Sequence, residues 1–171
     1  MTDGMLAPDP RTRWKAVIDI RPACFPADLN TVRTVFQEYA DGLGIDLAFQ
    51  GFQAELDDLP GAYARPGGIV LLARQGLQVI GCVAMRPFTH DICEMKRLYV
   101  RPMARGMRTG RQLVERLCAE ALAAGYARIC LDTLPSMHAA HALYHGLGFR
   151  PIAPHAASPI AGTRYLGRSL R

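Results

Sequence analysis

A chain of 171 residues, half of them hydrophobic and 20% charged, is long enough to bury a core without disulfides or metals and too apolar to stay disordered. Its net charge of +5 suits nucleic acid, an anionic surface or a small polyanion, and charge alone does not choose among them. Five cysteines, an odd number with no CxxC pair, argue against a disulfide framework or a zinc site, and the polar, Pro-rich start argues against a secretory signal or membrane span, so a reducing, cytoplasmic location is expected.

Residues 1–14 read as an unstructured lead-in, and 15–171 as a single domain without repeats or low-complexity linkers. The β-branched run 17–20, ended by Pro22, suits a first strand. Leu29, Val32, Val35, Phe36 and Tyr39 recur at helical spacing until Gly42 and Gly44 stop the pattern, and a second helix is expected over 47–59, ended at Pro60-Gly61. Three apolar segments follow, 69–73, 79–85 and 93–100; their turn-like separators predict an antiparallel meander. From 110 to 125 the apolar residues Leu113, Val114, Leu117, Cys118, Ala121 and Leu122 share one helical face, with Glu115, Arg116 and Glu120 towards solvent. A strand at 128–131, a helix at 136–147 ended by Gly148 and a final strand at 163–166 complete the pattern. The order predicts an α/β fold with a mixed, mostly antiparallel central sheet and helices on both faces.

The most informative segment is Leu98-Tyr99-Val100-Arg101-Pro102-Met103-Ala104-Arg105-Gly106-Met107-Arg108-Thr109-Gly110-Arg111, in which a strand runs into a turn that opens the long amphipathic helix. The first turn of a helix presents N–H groups with no internal partner. Gly106 and Gly110 let the backbone approach a phosphate, while Arg105, Arg108 and Arg111 add charge at the positive end of the helix dipole. Diphosphate fits such a turn; the alternative is an ordinary strand-to-helix connection with solvated arginines. The missing GK[ST] ending excludes a Walker loop, and the position after a meander excludes a Rossmann fingerprint.

Together with Cys93-Glu94-Met95-Lys96-Arg97-Leu98-Tyr99-Val100, the turn RGMRTG, the strand carrying Leu131-Asp132-Thr133 and the helix ending Leu143-Tyr144-His145-Gly146-Leu147-Gly148-Phe149, the sequence resembles the GNAT superfamily of acyltransferases, in order and in spacing. The resemblance implies the GNAT acyl-CoA N-acyltransferase fold and transfer of an acetyl group from acetyl-CoA, without a metal, to a primary amine of a small molecule or peptide by direct attack. It implies that the main chain of Arg105, Gly106, Met107, Arg108, Thr109 and Gly110, with Arg111, holds the pyrophosphate of coenzyme A. The edge formed by Leu98, Tyr99 and Val100 would take the pantetheine arm and acetyl carbonyl. A homodimer is implied by analogy alone. Two departures stand out: Arg108 replaces the middle glycine of the usual Q/R-x-x-G-x-G/A pattern, and Met137 stands where many members carry an asparagine that touches the cofactor.

Amide formation from a thioester requires a neutral amine, N–H donors for the oxyanion and a proton for the departing thiolate. The resemblance places Tyr144 as the acid for the sulfur and makes it a cofactor contact; the residue pattern alone gives a core aromatic in the stripe Ala140, Leu143, Tyr144, Leu147. Simple alternation puts Glu94 on one strand face with Lys96, Leu98 and Val100, and the resemblance implies a base there, since some members have a carboxylate in this region that acts directly or through water; a salt bridge with Lys96 or Arg97 is the rival account. His138, His141 and His145 line one side of a helix, and a solvent-facing row is expected rather than a metal site. His155 lies in a Pro-rich loop, 151–159, expected to border the acceptor pocket. Tyr39, Phe49, Gln50, Phe52 and Gln53 are candidates to line that pocket with Glu94, although core packing explains the phenylalanines equally. Two rival functions are a catalytically idle acyl-CoA-binding sensor, suggested by Arg108, and a nucleic-acid module, which lacks the expected aromatics and basic stripe.

Overall fold

The three apolar runs of the meander are buried on both faces, and they form the centre of the sheet in the computed structural model, which describes residues 17–171. The lead-in expected over 1–14 lies outside the described residues. The strands are β1 Ile18–Pro22, β2 Ile69–Gln75, β3 Gln78–Pro87, β4 Ile92–Val100, β5 Arg128–Thr133, β6 Arg150–Pro151 and β7 Arg164–Ser169. The helices are α1 Leu29–Leu43, α2 Phe52–Asp58, α3 Thr109–Ala123 and α4 His138–Gly146. The sheet is seven-stranded, in the order β1-β2-β3-β4-β5-β7-β6. Every pairing is antiparallel except β4 with β5. That single parallel step follows from chain connectivity, because α3 crosses one face between β4 and β5.

Two cores flank the sheet. Leu113, Val114, Leu117 and Ala121 of α3, with Tyr144 of α4, pack against Leu71, Ile80, Met85, Cys93, Met95, Ile129 and Leu131. On the opposite face, Val32, Val35 and Phe36 of α1 and Phe52 and Leu56 of α2 pack on Val70, Leu72, Cys82 and Ala84. The even and odd residues of β2 thus serve different cores, which is why its run reads as continuously apolar rather than alternating.

Four details differ from the sequence reading. The helix expected over 47–59 is interrupted at Gly51, whose φ of 67° ends a short 3₁₀ turn, Ala48–Gln50, before α2 begins. The helix expected from 136 starts at His138. A two-residue strand, β6, pairs at the outer edge of β7, too short to leave a periodic signal.

A β-bulge in β4 has the largest consequence. Lys96 pairs with Ala84 and Tyr99 with Cys82, so Arg97 and Leu98 together oppose Val83. Arg97 takes a φ of 60° to accommodate the extra residue. The bulge shifts the alternation by one. Leu98 and Val100 pack against the same core as Cys93 and Met95, whereas Tyr99 packs on the α1 side. Glu94 and Lys96 therefore do not share a face with Leu98 and Val100, contrary to the simple alternation.

Candidate active site

β4 and β5 pair only at their start, through Ile92 with Arg128, Cys93 with Ile129 and Glu94 with Cys130. Beyond that point the right-handed twist and the bulge carry β4 away, while β5 stays paired with β7 as far as Thr133. The gap is a cavity bounded by Met95, Lys96, Arg97 and Leu98 of β4, Leu131, Asp132 and Thr133 of β5, Tyr39 of α1, Gln50, Met137 and Tyr144.

The open edge of β4 offers main-chain groups. Arg101 N–H donates to the Ile80 carbonyl at 2.9 Å, so Arg101 faces β3. By alternation Tyr99 also faces β3, and the N–H and C=O groups of Leu98 and Val100 point into the gap. A cleft leads from there past Leu98, Tyr99 and Val100, with Met137, Ala140 and Leu143 on its other wall, to Arg105 and Gly110.

At the far end lies the turn before α3. Arg105, Gly106, Arg108, Thr109, Gly110 and Arg111 line a second cleft continuous with the first. No side chain caps α3, so its first-turn amides are left for a ligand or solvent. Gly106 has a φ of 80° and Arg108 one of 61°. Glycine takes that left-handed conformation freely, which accounts for the usual residue at position 108; an L-residue costs about 1 kcal/mol there. Gly110 differs. It has no left-handed φ, and a Cβ there would meet only Leu143 at 3.5 Å and Val100 at 3.7 Å, ordinary contacts. Its glycine keeps the cleft wide rather than permitting a turn. Met107 is exposed and does not line the cleft, so only its main chain can serve a diphosphate. The residues fit an elongated donor with a diphosphate at one end: free amides and arginines at α3, an apolar cleft, then free strand groups.

Tyr144 is 4% exposed and lines the cavity. Burial raises its phenol well above the usual value, with Tyr39 and Asp132 nearby adding to the shift, so it carries its proton throughout the physiological range. Tyr39, also on the cavity wall, is raised by burial against the opposing pull of Arg97. Arg97 is buried and forked onto Glu55, with Nε at 2.9 Å and Nη2 at 2.7 Å, and it donates to Gln50 at 2.9 Å. Burial opposes its charge, but the hydrogen bonds and charge of Glu55 outweigh that and hold its pKa above the usual value.

The structure redistributes the expected acceptor residues. Tyr39 and Gln50 reach the cavity. Phe49 does not: it stands 39% exposed on the 3₁₀ turn and lines none of these clefts. Phe52 is a core residue beneath the Arg97 guanidinium, 5.0 Å from its ring centroid. Gln53 is exposed and bonds to Asp57 within α2. Glu94 is only 3% exposed and is absent from the cavity wall. Arg86 holds its Oε2 at 2.8 Å, and Lys96 lies 3.8 Å from its Oε1. The carboxylate on the wall is Asp132, whose Oδ1 is 3.4 Å from Lys96 Nζ.

Sequence reasoning gave no role to Asp132, Lys96 or Arg97 in this cavity, and the one available signal was three charges inside apolar strand runs. His138 and His145 are exposed and His141 is half-buried, so the row faces solvent in part; among the described residues no group of three metal-binding side chains occurs.

The model of the acetyltransferase (GNAT) family matches residues 14–149. An uncharacterized N-acetyltransferase of Schizosaccharomyces pombe is 38% identical, covering 87% of this chain and 93% of that protein. A GNAT-family acetyltransferase of Staphylococcus aureus superposes with a TM-score of 0.75 at 18% identity, covering 91% of this chain and 100% of that one. An N-acetyltransferase of Thermoplasma acidophilum, solved in complex with coenzyme A, gives a TM-score of 0.69 at 16% identity, with 90% and 99% covered.

Proposed function

The chain belongs to the acetyltransferase (GNAT) family and is an N-acetyltransferase; from that premise we propose that it carries the acetyl group of acetyl-CoA to a primary amine of a small molecule or peptide by direct attack. The observation that carries the proposal is the unbroken cleft from the uncapped start of α3, along the free edge of β4, to the buried phenol of Tyr144.

The donor supplies an activated acetyl carbon when bound. The amides between Arg105 and Gly110, with Arg105, Arg108 and Arg111, hold the diphosphate. Leu98 and Val100 present main-chain groups to the arm, and an N–H from this edge stabilises the carbonyl oxygen. Tyr144 keeps a proton at its phenol oxygen on the cavity wall, where the departing sulfur needs one. Asp132, rather than Glu94, receives the proton that the acceptor ammonium must lose, because it is the carboxylate on that wall. The acceptor enters from the α2 side. Gln50 belongs both to the cavity and to a polar cleft lined by Glu55, Asp58, Tyr63 and Arg86.

The test is thiol release from acetyl-CoA by the purified chain with ethanolamine, spermidine, free amino acids and an alanyl tripeptide as probe amines. Release above background with at least one of them is expected. Coenzyme A binding by calorimetry with release at background throughout would instead favour an acyl-CoA sensor, the reading that Arg108 in a left-handed turn suggests. No binding of either coenzyme form would overturn both.

A further inference from the structure

His155 is the side chain in this region that the transfer mechanism leaves without a task. It lies on the loop between β6 and β7, yet its side chain is only 8% exposed. Phe88 and Tyr165 fix its ring edge-on, at centroid distances of 5.2 and 5.3 Å. Neither ring nitrogen has a hydrogen-bond partner among the described residues, and Nε2 lies 3.5 Å from Glu94 Oε1. Tyr165 offers His155 no hydrogen bond, since its hydroxyl donates to the Ala156 carbonyl at 2.7 Å. A buried imidazole beside a carboxylate is costly to leave unpaired and is well placed to gain a partner on protonation.

Glu94 is contested. Its Oε2 is taken by Arg86 of β3 at 2.8 Å, and its Oε1 lies between His155 and Lys96, at 3.5 and 3.8 Å. Lys96 Nζ is in turn 3.4 Å from Asp132 Oδ1. Both lysine distances exceed the roughly 2.7–2.9 Å of a tight charge-assisted bond, so the ammonium is shared between two carboxylates rather than committed to either.

We propose that His155 is a positioning residue that sets, through Glu94 and Lys96, whether the cavity carboxylate Asp132 is free to accept a proton. Neutral His155 leaves Glu94 Oε1 to Lys96, which stays between the carboxylates. Protonated His155 donates Nε2–H to Oε1, and Lys96 moves onto Asp132. A full ion pair there lowers the proton affinity of Asp132 and blocks its approach to an ammonium acceptor. Protonation of His155 thus disarms the site. The inference rests on the proposed role of Asp132, but its structural half, the coupling of His155 to Lys96, does not.

The chain holds two lysines, Lys15 and Lys96, so lysine-specific ¹³C labelling of the full chain gives a reporter and a reference. Across pH 5–8 the Lys96 signal is expected to shift with the same inflection as the His155 Cε1 proton. His155→Phe, which keeps an aromatic ring between Phe88 and Tyr165, removes that inflection, and Glu94→Gln removes it with His155 still present. An unchanged thermal midpoint shows that the Phe variant is folded. In the activity arm, the fastest probe amine is used for both proteins, which cancels its own ionisation. The ratio of wild-type to His155→Phe kcat/KM is expected to fall about tenfold per pH unit below the His155 inflection. A Lys96 titration unaltered by His155→Phe, or a ratio flat across the window, overturns the proposal. Background thiol release with every amine counts against the transferase reading, and the Lys96 titration still decides the coupling.

Discussion

As the proposed proton donor for sulfur, Tyr144 faces two requirements that pull against each other: it must be within reach of the reaction yet must not lose its proton to solvent. Its place at 4% exposure on the cavity wall satisfies both. Tyr144→Phe removes the hydroxyl and keeps the ring contact with Phe149, at 5.6 Å between centroids. We expect kcat to fall roughly 10²-fold with little change in acetyl-CoA affinity, measured by steady-state kinetics and calorimetry. Because burial raises this phenol, a basic limb below its usual pKa of about 10 would belong to another group. Gly110 separates sterics from charge at the other end of the cleft. Gly110→Ala adds a methyl in ordinary contact with Leu143 and Val100 and should fold and bind coenzyme A with a modest loss. Gly110→Asp sets an anion among the phosphates and should abolish measurable binding while the thermal midpoint holds, since a carboxylate in the first turn of α3 suits the helix dipole. Both positions were legible in the sequence because each belongs to a local motif. Asp132 and Lys96 were not: they meet only when two strands 36 residues apart in sequence diverge.

At the scale of elements, the bulge in β4 turns a continuous strand into one wall of the candidate active site. One extra residue opposite Val83 turns the strand, and Arg97 anchors it through Glu55 of α2 and Gln50 of the 3₁₀ turn. Arg97→Ala leaves Glu55 without its cation in a mostly buried setting, and we expect a loss of about 3–5 kcal/mol by urea unfolding. Arg97→Lys keeps the charge without the fork and should recover only part of that. The bulge also shows why alternation misled the reading of Glu94. Period-two reasoning holds only until a residue is inserted, and nothing in Lys96-Arg97-Leu98 marks the insertion, since a positive φ is unusual for arginine. The second helix failed as an unbroken element for a related reason: Gly51 lies inside the expected span 47–59 and ends the 3₁₀ turn there. The long amphipathic pattern of α3 and the meander were legible because their periodicity spans many residues and survives one error.

At the scale of the molecule, the proposed donor cleft spans several elements. Its walls come from β4, the turn before α3, and α4, while α1 closes it through Tyr39, Gly42 and Leu43. Arg101 ties α1 to the end of β4 by a forked bond to Glu38, at 2.9 and 2.7 Å. A ligand filling this cleft joins α4 and α1 to the sheet and binds only the folded chain, so its binding free energy adds to the unfolding free energy. At a coenzyme A concentration about 100 times Kd the gain is about 2.7 kcal/mol. For a chain of this length that corresponds to a rise in thermal midpoint of roughly 5–11 °C. The rise should grow with the logarithm of coenzyme A concentration and vanish in Gly110→Asp, while Tyr144→Phe retains it. Differential scanning fluorimetry over a concentration series checks all three. A midpoint indifferent to coenzyme A in the wild type would mean that the cleft, for all its shape, does not hold the donor.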